Sequence, residues 1–306
     1  MCRIVVPLDG STWAEQAMGT AERLARQLNG HIELLRVVTS GSVLGTKTDE
    51  RTTQAEQYLD AVASRLALTV PARTQIIEGS DPAEEITRYA GSSSSTFIVM
   101  STRGRGAIGC LVFGSVADDV VRHARVPVVL VHEEESPQSG FIPRMIVPID
   151  GSLLAEQALP QATELARSTD ATISLVQVLD LPSDPVYTDF GSAPGTVFDV
   201  FERSREEARS YLNSVANRLR NDGMRTTWEV RVGAAAKEIN RFATTTGAGL
   251  IVMSTHGRTG LQRITLGSVT HEVVRNGPTP VMIVPTTSAS PVGASNVRAP
   301  SSSALE

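Results

Sequence analysis

The chain has 306 residues, 41% apolar and 20% charged, with a net charge of −5, an ordinary globular composition for about two domains of roughly 100 to 200 residues each. No apolar run approaches the roughly 20 residues that cross a bilayer, and an acidic chain with seven Phe, four Tyr and two Trp lacks the basic stripe of a nucleic-acid binder, so neither a membrane nor nucleic acid is an expected partner. Cys2 and Cys110, at unrelated positions, support neither a disulfide framework nor a zinc site, and the absence of an export signal after Met1 makes the cytoplasm the expected location.

Arg3 to Leu8 and His31 to Val38 read as β-branched strands on either side of Trp13 to Leu28, whose apolar residues fall at helical spacing. Gln54 to Leu68 is predicted as a second amphipathic helix, Ala72 to Glu78 as a third strand, and Pro82 to Ala90 as a helix with proline in its first turn. Thr96 to Met100 is the fourth predicted strand. After a glycine-rich loop, Ser115 to His123 is predicted as a helix and Val128 to His132 as the fifth strand. Strands alternating with helices imply a mostly parallel sheet covered on both faces.

The same order then repeats, with strands expected near Met145 to Ile149, Thr172 to Leu179, Arg225 to Val232, Leu250 to Met253 and Val281 to Val284. The expected domains are 1–135 and 144–286, with a linker at 136–143 and a disordered Ser, Ala and Pro tail at 287–306. Leu181 to Gly195, rich in turn formers and carrying two aromatics, is an insertion in the second copy, with the composition of a segment that either closes the second site as a lid or fills it.

The repeat is more than a repeated core. Arg3-Ile-Val-Val-Pro-Leu-Asp9-Gly-Ser11 returns as Arg144-Met-Ile-Val-Pro-Ile-Asp150-Gly-Ser152, and Phe97 to Val131 agrees with Leu250 to Val284 at close to half of its positions without a gap. In an open parallel sheet, ligands bind outside the carboxyl ends of the strands, where Asp9 and Asp150 are expected. Asp-Gly-Ser is also a good turn and helix cap, but a cap alone does not explain why Pro-x-Asp-Gly-Ser is kept whole in both copies.

A second element starts at the end of the fourth strand. Met100-Ser101-Thr102-Arg103-Gly104 is followed after nine residues by Gly114-Ser115-Val116, and Met253-Ser254-Thr255-His256-Gly257 after nine by Gly267-Ser268-Val269. Glycines let main-chain N–H groups approach an anion, and a helix opening there directs its positive dipole end at a phosphate. Ser115 with Asp118 is a capping pair on the competing reading. Lys47 and Lys237 are the only lysines and neither loop ends in Gly-Lys-Ser/Thr, which excludes a Walker-type loop. Gly104-Arg-Gly106-Ala-Ile-Gly109 matches a dinucleotide string, but it follows the fourth strand and is not repeated. His271-Glu272 and Cys110 have no equivalents in the other half, so no catalytic residue is expected.

On these motifs both halves resemble the universal stress protein family, in which a glycine, two residues, a glycine, nine residues and Gly-Ser/Thr mark the members that bind ATP. The resemblance implies an α/β fold of two tandem doubly wound five-stranded parallel-sheet domains, strand order 3-2-1-4-5, of the adenine-nucleotide alpha hydrolase-like type. It also implies ATP, with Mg²⁺, at the carboxyl ends of strands one and four. Domains of the family pair through strand five, so this chain would form an intramolecular pseudo-dimer, and two chains a homodimer. Carried over by position, Asp9 and the backbone of Val37 would contact adenine, Pro7, Met100 and Ser101 would lie near the ribose, and Gly104, Gly114, Ser115 and Val116 would hold the phosphates. The matching set is Asp150, Val178, Pro148, Met253 and Ser254, then Gly257, Gly267, Ser268 and Val269. Arg103, Arg105, His256 and Arg258 are candidates for further phosphate contact.

Ser101 and Ser254 replace the first glycine of the family pattern, and at positive φ each Cβ would cost about 1 kcal/mol. The implied function is a regulatory or protective ATP-binding module that acts through an unidentified protein partner and not as a fast enzyme. A slow ATPase or nucleotidyl-transfer enzyme, and an interaction scaffold that binds no nucleotide, are the competing readings.

Overall fold

The computed structural model describes residues 2–39, 48–66, 68–92, 96–102, 114–132, 142–180, 195–255 and 266–286. The first half runs β1 (Arg3–Pro7), α1 (Thr12–Glu15), α2 (Ala17–Gln27), β2 (His31–Thr39), α3 (Thr48–Leu66), β3 (Ala72–Gly79), α4 (Pro82–Ala90), β4 (Thr96–Ser101), α5 (Ser115–His123) and β5 (Val128–Val131). The second runs β6 (Arg144–Pro148), α6 (Leu153–Glu156), α7 (Ala158–Thr169), β7 (Thr172–Leu179), α8 (Gly195–Asn221), β8 (Thr226–Val232), α9 (Ala235–Thr245), β9 (Leu250–Ser254), α10 (Ser268–Asn276) and β10 (Val281–Val284).

The sheet has ten strands in the order β3-β2-β1-β4-β5-β10-β9-β6-β7-β8, so each half has the expected order 3-2-1-4-5. Pairing within each half is parallel, whereas β5 and β10 run antiparallel with Val129 opposite Met282. Period-two alternation sends the residues of each central strand to two cores. Ile4, Val6 and Leu34 meet Leu24 of α2 and Leu59 of α3 on one face; Val5, Leu35 and Ile98 meet Ile86 of α4 and Val120 of α5 on the other. The central strands are therefore continuous apolar runs and not amphipathic ones.

Local chemistry sets the helix ends. Pro82 occupies the first turn of α4, where a missing N–H costs nothing, and Asp81 Oδ1 accepts from Ala83 N–H at 2.8 Å. Most expected boundaries fall within two residues of those observed, and two differ by more. The helix read as Trp13 to Leu28 is broken at Gln16 into α1 and α2, and α3 begins at Thr48, before Gln54. The insertion read as a lid or a plug lies outside the described residues, apart from Gly195, which opens α8.

Candidate functional site

Both aspartates stand where β1 and β6 end, at the mouth of the sheet. Ser11 donates its N–H at 2.9 Å and its hydroxyl at 2.6 Å to Asp9 Oδ1, and Ser152 N–H donates to Asp150 Oδ1 at 2.9 Å. Each serine then caps the next helix, accepting from Ala14 or Ala155 N–H at 3.1 Å. Gly10 and Gly151 have φ of 79° and 87°, a region where a Cβ is disfavoured, which accounts for the glycine in both copies. Turn and cap are thus satisfied in full, and the pair of tight turns holds a carboxylate at the same place in each half.

Ser101 and Ser254 end β4 and β9 and are buried, as are Met100 and Met253. Among the described residues only Asn29 and Asp170 are non-glycines at positive φ, so the two serines carry none of the left-handed strain considered from the sequence. Thr102 N–H extends the ladder to the Val131 carbonyl at 2.9 Å, and Thr255 N–H reaches Val284 at 3.3 Å. Gly114 N–H donates to the Thr102 carbonyl at 2.7 Å and Gly267 N–H to Thr255 at 3.0 Å. These bonds tie the start of α5 to the end of β4, and the start of α10 to the end of β9.

The helix starts themselves have no side-chain cap. Gly114 and Gly267 occupy the cap positions with φ of −64° and −56°, and Asp118 pairs with Arg122 at 2.7 Å instead of capping with Ser115. The first intrahelical bonds run from Asp118 N–H to Gly114 at 3.1 Å and from His271 N–H to Gly267 at 2.9 Å. The N–H groups of Ser115, Val116 and Ala117, and of Ser268, Val269 and Thr270, therefore have no partner inside their helices, at the end where the dipole is positive. Val37 and Val178, near the ends of β2 and β7, are half-buried. Since β1 lies between β2 and β4, the turn at Asp9 is flanked by Val37 and Ser101. Gly104, Gly257, Arg103, Arg105, His256 and Arg258 lie outside the described residues.

A further duplicated constellation was not foreseen. Tyr58 donates its hydroxyl to Glu15 Oε1 at 3.0 Å while Arg65 reaches Glu15 Oε2 at 2.8 Å. In the second half Tyr211 and Arg218 hold Glu156 at 2.9 and 2.6 Å. Burial first, then the hydrogen bond to glutamate, pushes both phenols above the ordinary tyrosine range. The triads fasten α3 and α8 to the single-turn helices α1 and α6 that follow the Asp-Gly-Ser turns. Ala-Glu-Gln-Ala is kept after both turns, and a Tyr and an Arg seven residues apart are kept on both long helices; these were the available signals.

Beside the first turn a cavity of about 500 Å³ opens between α3 and the end of β2, lined by Gly10, Arg36, Thr39, Arg51, Gln54 and Tyr58 among others. The opposite ends of the strands carry a different cluster, in which Glu33 accepts from Tyr89 at 2.9 Å and pairs with Arg3 at 3.3 Å. Burial and that hydrogen bond raise Tyr89 to about 12. The cluster lies remote from the turns and closes the sheet end. Among the described residues no three His, Cys, Asp or Glu side chains are grouped to hold a metal ion, and no helix is long and apolar enough to cross a membrane.

A family model described as the universal stress protein family matches residues 1–132 and again 142–285. The chain belongs to the universal stress protein family. A universal stress protein of Mycolicibacterium smegmatis is 28% identical over 298 residues, covering 92% of this chain and 96% of its own length. One from Methanocaldococcus jannaschii is 34% identical over 143 residues, 46% of this chain and 81% of that protein. The solved universal stress protein from Archaeoglobus fulgidus DSM 4304 superposes with a TM-score of 0.66 at 22% identity, over 92% of this chain and 95% of that one. The tandem arrangement and the fold are therefore shared with other universal stress proteins.

Proposed function

We propose that each half of this universal stress protein holds ATP, accompanied by Mg²⁺, across the carboxyl ends of its first and fourth strands, and that occupancy regulates association with a protein partner. The observation that carries this reading is the duplicated pairing of a carboxylate-bearing turn with a helix start that has no side-chain cap and is tied by its glycine N–H to the adjacent strand. Asp9 and Val37 would face the base, Pro7, Met100 and Ser101 the sugar, and Gly104, Gly114, Ser115 and Val116 the phosphates. Asp150, Val178, Pro148, Met253, Ser254, Gly257, Gly267, Ser268 and Val269 would do the same in the second half.

With no lysine in either glycine-bearing segment, the triphosphate would be balanced by main-chain N–H groups, the helix dipole and the metal ion. Mg²⁺ is held elsewhere through substrate phosphates and one or two protein oxygens, without a dedicated cage, which fits the described residues here. Nothing described would orient an attacking water, so the site favours holding ATP over splitting it. The modules at 1–135 and 144–286 would work as an intramolecular pseudo-dimer, a reading supported by the antiparallel β5–β10 ladder.

Titration calorimetry of the full chain with Mg-ATP tests the proposal. Two ATP per chain are expected, with ATP and not ADP recovered by mass spectrometry of gently purified protein. Absence of any bound nucleotide at millimolar Mg-ATP would favour the scaffold reading, and recovered ADP with turnover above background would favour the hydrolytic one.

A further inference from the structure

The strand order puts β3 and β8 at the two ends of the sheet, each paired on one side only. Along β8 the Arg225 carbonyl accepts from Ile173 N–H and Gly233 N–H donates to the Leu179 carbonyl, both at 2.9 Å. Odd-numbered residues of β8 thus turn their main-chain groups toward β7, and Thr226, Trp228, Val230 and Val232 turn theirs outward. Arg220 covers the Thr226 carbonyl at 2.9 and 3.1 Å. Among the described residues, the main-chain groups of Trp228, Val230 and Val232 have no partner.

The other edge is protected. Strand register matches Ala72 with Thr226, so Thr74, Ile76 and Glu78 stand where the second half has Trp228, Val230 and Val232. The Ile76 carbonyl accepts from the side-chain amide of its neighbour Gln75 at 2.8 Å, and Glu78 sets a charge on the edge, both means by which proteins blunt an open strand. On β8 the outward residues are apolar and the strand has no proline.

Two copies of β8 fit one another in a single antiparallel register. A two-fold axis at Val230 sets Val230 against its own copy, Trp228 against Val232 of the second copy, and Glu229 against Arg231 of the second copy. Outward residues then meet outward residues, so all three places become pairs that exchange two main-chain hydrogen bonds each. Moving the axis to Glu229 or to Arg231 sets two like charges directly opposite, which opposes pairing. In the favoured register Glu229, 47% exposed beside Arg231, lies within reach of the second copy's guanidinium on the α9 face. On the other face Trp228 and Val230, half-buried against the core under α8, gain aromatic and β-branched neighbours. The two halves of one chain already join by antiparallel pairing of β5 with β10, and this seam would extend the same sheet.

We infer that β8 is a homodimerisation edge, at which two copies of the chain pair antiparallel about Val230 into one continuous sheet. The inference is independent of the nucleotide reading. So short a ladder belongs with small, weak interfaces, and the dimer should form at protein concentrations on the order of 100 µM.

Sedimentation equilibrium of the full chain over a concentration series tests this, with amide hydrogen exchange to locate the contact. A monomer–dimer equilibrium is expected, in which Trp228, Val230 and Val232 N–H groups gain protection as concentration rises while those of Thr74, Ile76 and Glu78 do not. Glu229→Lys, at an exposed position, sets like charges opposite each other on both sides of the axis and should weaken association about tenfold or more. Val230→Pro removes a donor that the fold itself does not use and should abolish the dimer; if that variant fails to fold, Glu229→Lys and the exchange pattern decide. A chain that stays monomeric at several times the expected concentration, a dimer untouched by Glu229→Lys, or protection appearing on β3 instead of β8 would each overturn the inference.

Discussion

Replacing Ser115 and Ser268 by proline separates the proposed anion cradle from the fold. Each serine is the first residue of its helix, the position where proline is best tolerated because its N–H has no intrahelical acceptor and its φ is already set. The preceding glycines have φ/ψ of −64°/147° and −56°/146°, the extended backbone that a residue before proline adopts. The change should therefore alter stability by no more than about 0.5 kcal/mol. It removes one main-chain donor and one hydroxyl from the start of each helix. A hydrogen bond to a charged group contributes roughly 1.5–3 kcal/mol, so ATP affinity should fall about 10- to 150-fold at the altered site. Calorimetry on each single variant reads the two sites separately, and urea denaturation checks the fold. ATP affinity unchanged in both folded variants would show that these helix starts do not hold phosphate.

The glutamate triads should be worth more through tyrosine than through arginine. Tyr58→Phe and Tyr211→Phe each remove a partly buried hydrogen bond to a carboxylate and should cost about 1–2 kcal/mol, whereas Arg65→Ala, at a side chain 65% exposed, should cost less than about 1 kcal/mol; a larger loss for Arg65→Ala would reverse this assignment. Because the folded Tyr58 and Tyr211 pKa values are raised by burial and the glutamates, their contribution is complete below the usual tyrosine pKa of about 10 and is lost as pH climbs through the raised value. The phenylalanine variants should accordingly lose less stability than wild type above about pH 10, measured by denaturation across pH. Gly10→Ala and Gly151→Ala, at φ of 79° and 87°, should each destabilise by about 1 kcal/mol or more; equilibrium unfolding at wild-type stability would show that the turns relax. Burial raises the Cys2 thiol to about 11, leaving roughly one thiolate in a thousand at pH 8. In a Cys110→Ser chain, a thiol reagent should then react about 100-fold more slowly than with free cysteine, and a rate near that of free cysteine would contradict the burial.

The order of elements was legible because each central strand is a short β-branched run bounded by turn residues, and Pro82 and Asp81 mark a helix start without help from tertiary contacts. Gln16 was not legible as a break, since the apolar spacing continues through it; what ends α1 is the short helix seated on the Asp-Gly-Ser turn and anchored by Glu15 to a helix some 40 residues on. The competing roles of Asp9 also could not be separated from sequence. Its side chain fulfils the turn and stands at the strand end at once, so retention in both copies counts for both roles.

What the duplication keeps and what it changes fall on different sides of the same crevice. Glu15, Tyr58 and Arg65 recur as Glu156, Tyr211 and Arg218 with nearly the same distances, because the helix they fasten must sit at the same angle in both halves whatever ligand is held. Arg36, Thr39, Arg51 and Gln54 do not recur: Gln177, Asp180, Ser204 and Glu207 stand at the matching places, two acidic residues where the first half has two basic ones. None of the four packs in a core, so no folding requirement holds them to one charge; Leu59 and Leu212, between the same helix and the same sheet face, are fully buried and identical. That exchange is invisible in a linear alignment of the motifs, since two of its positions lie at the end of a strand and two on a helix brought to it by the fold.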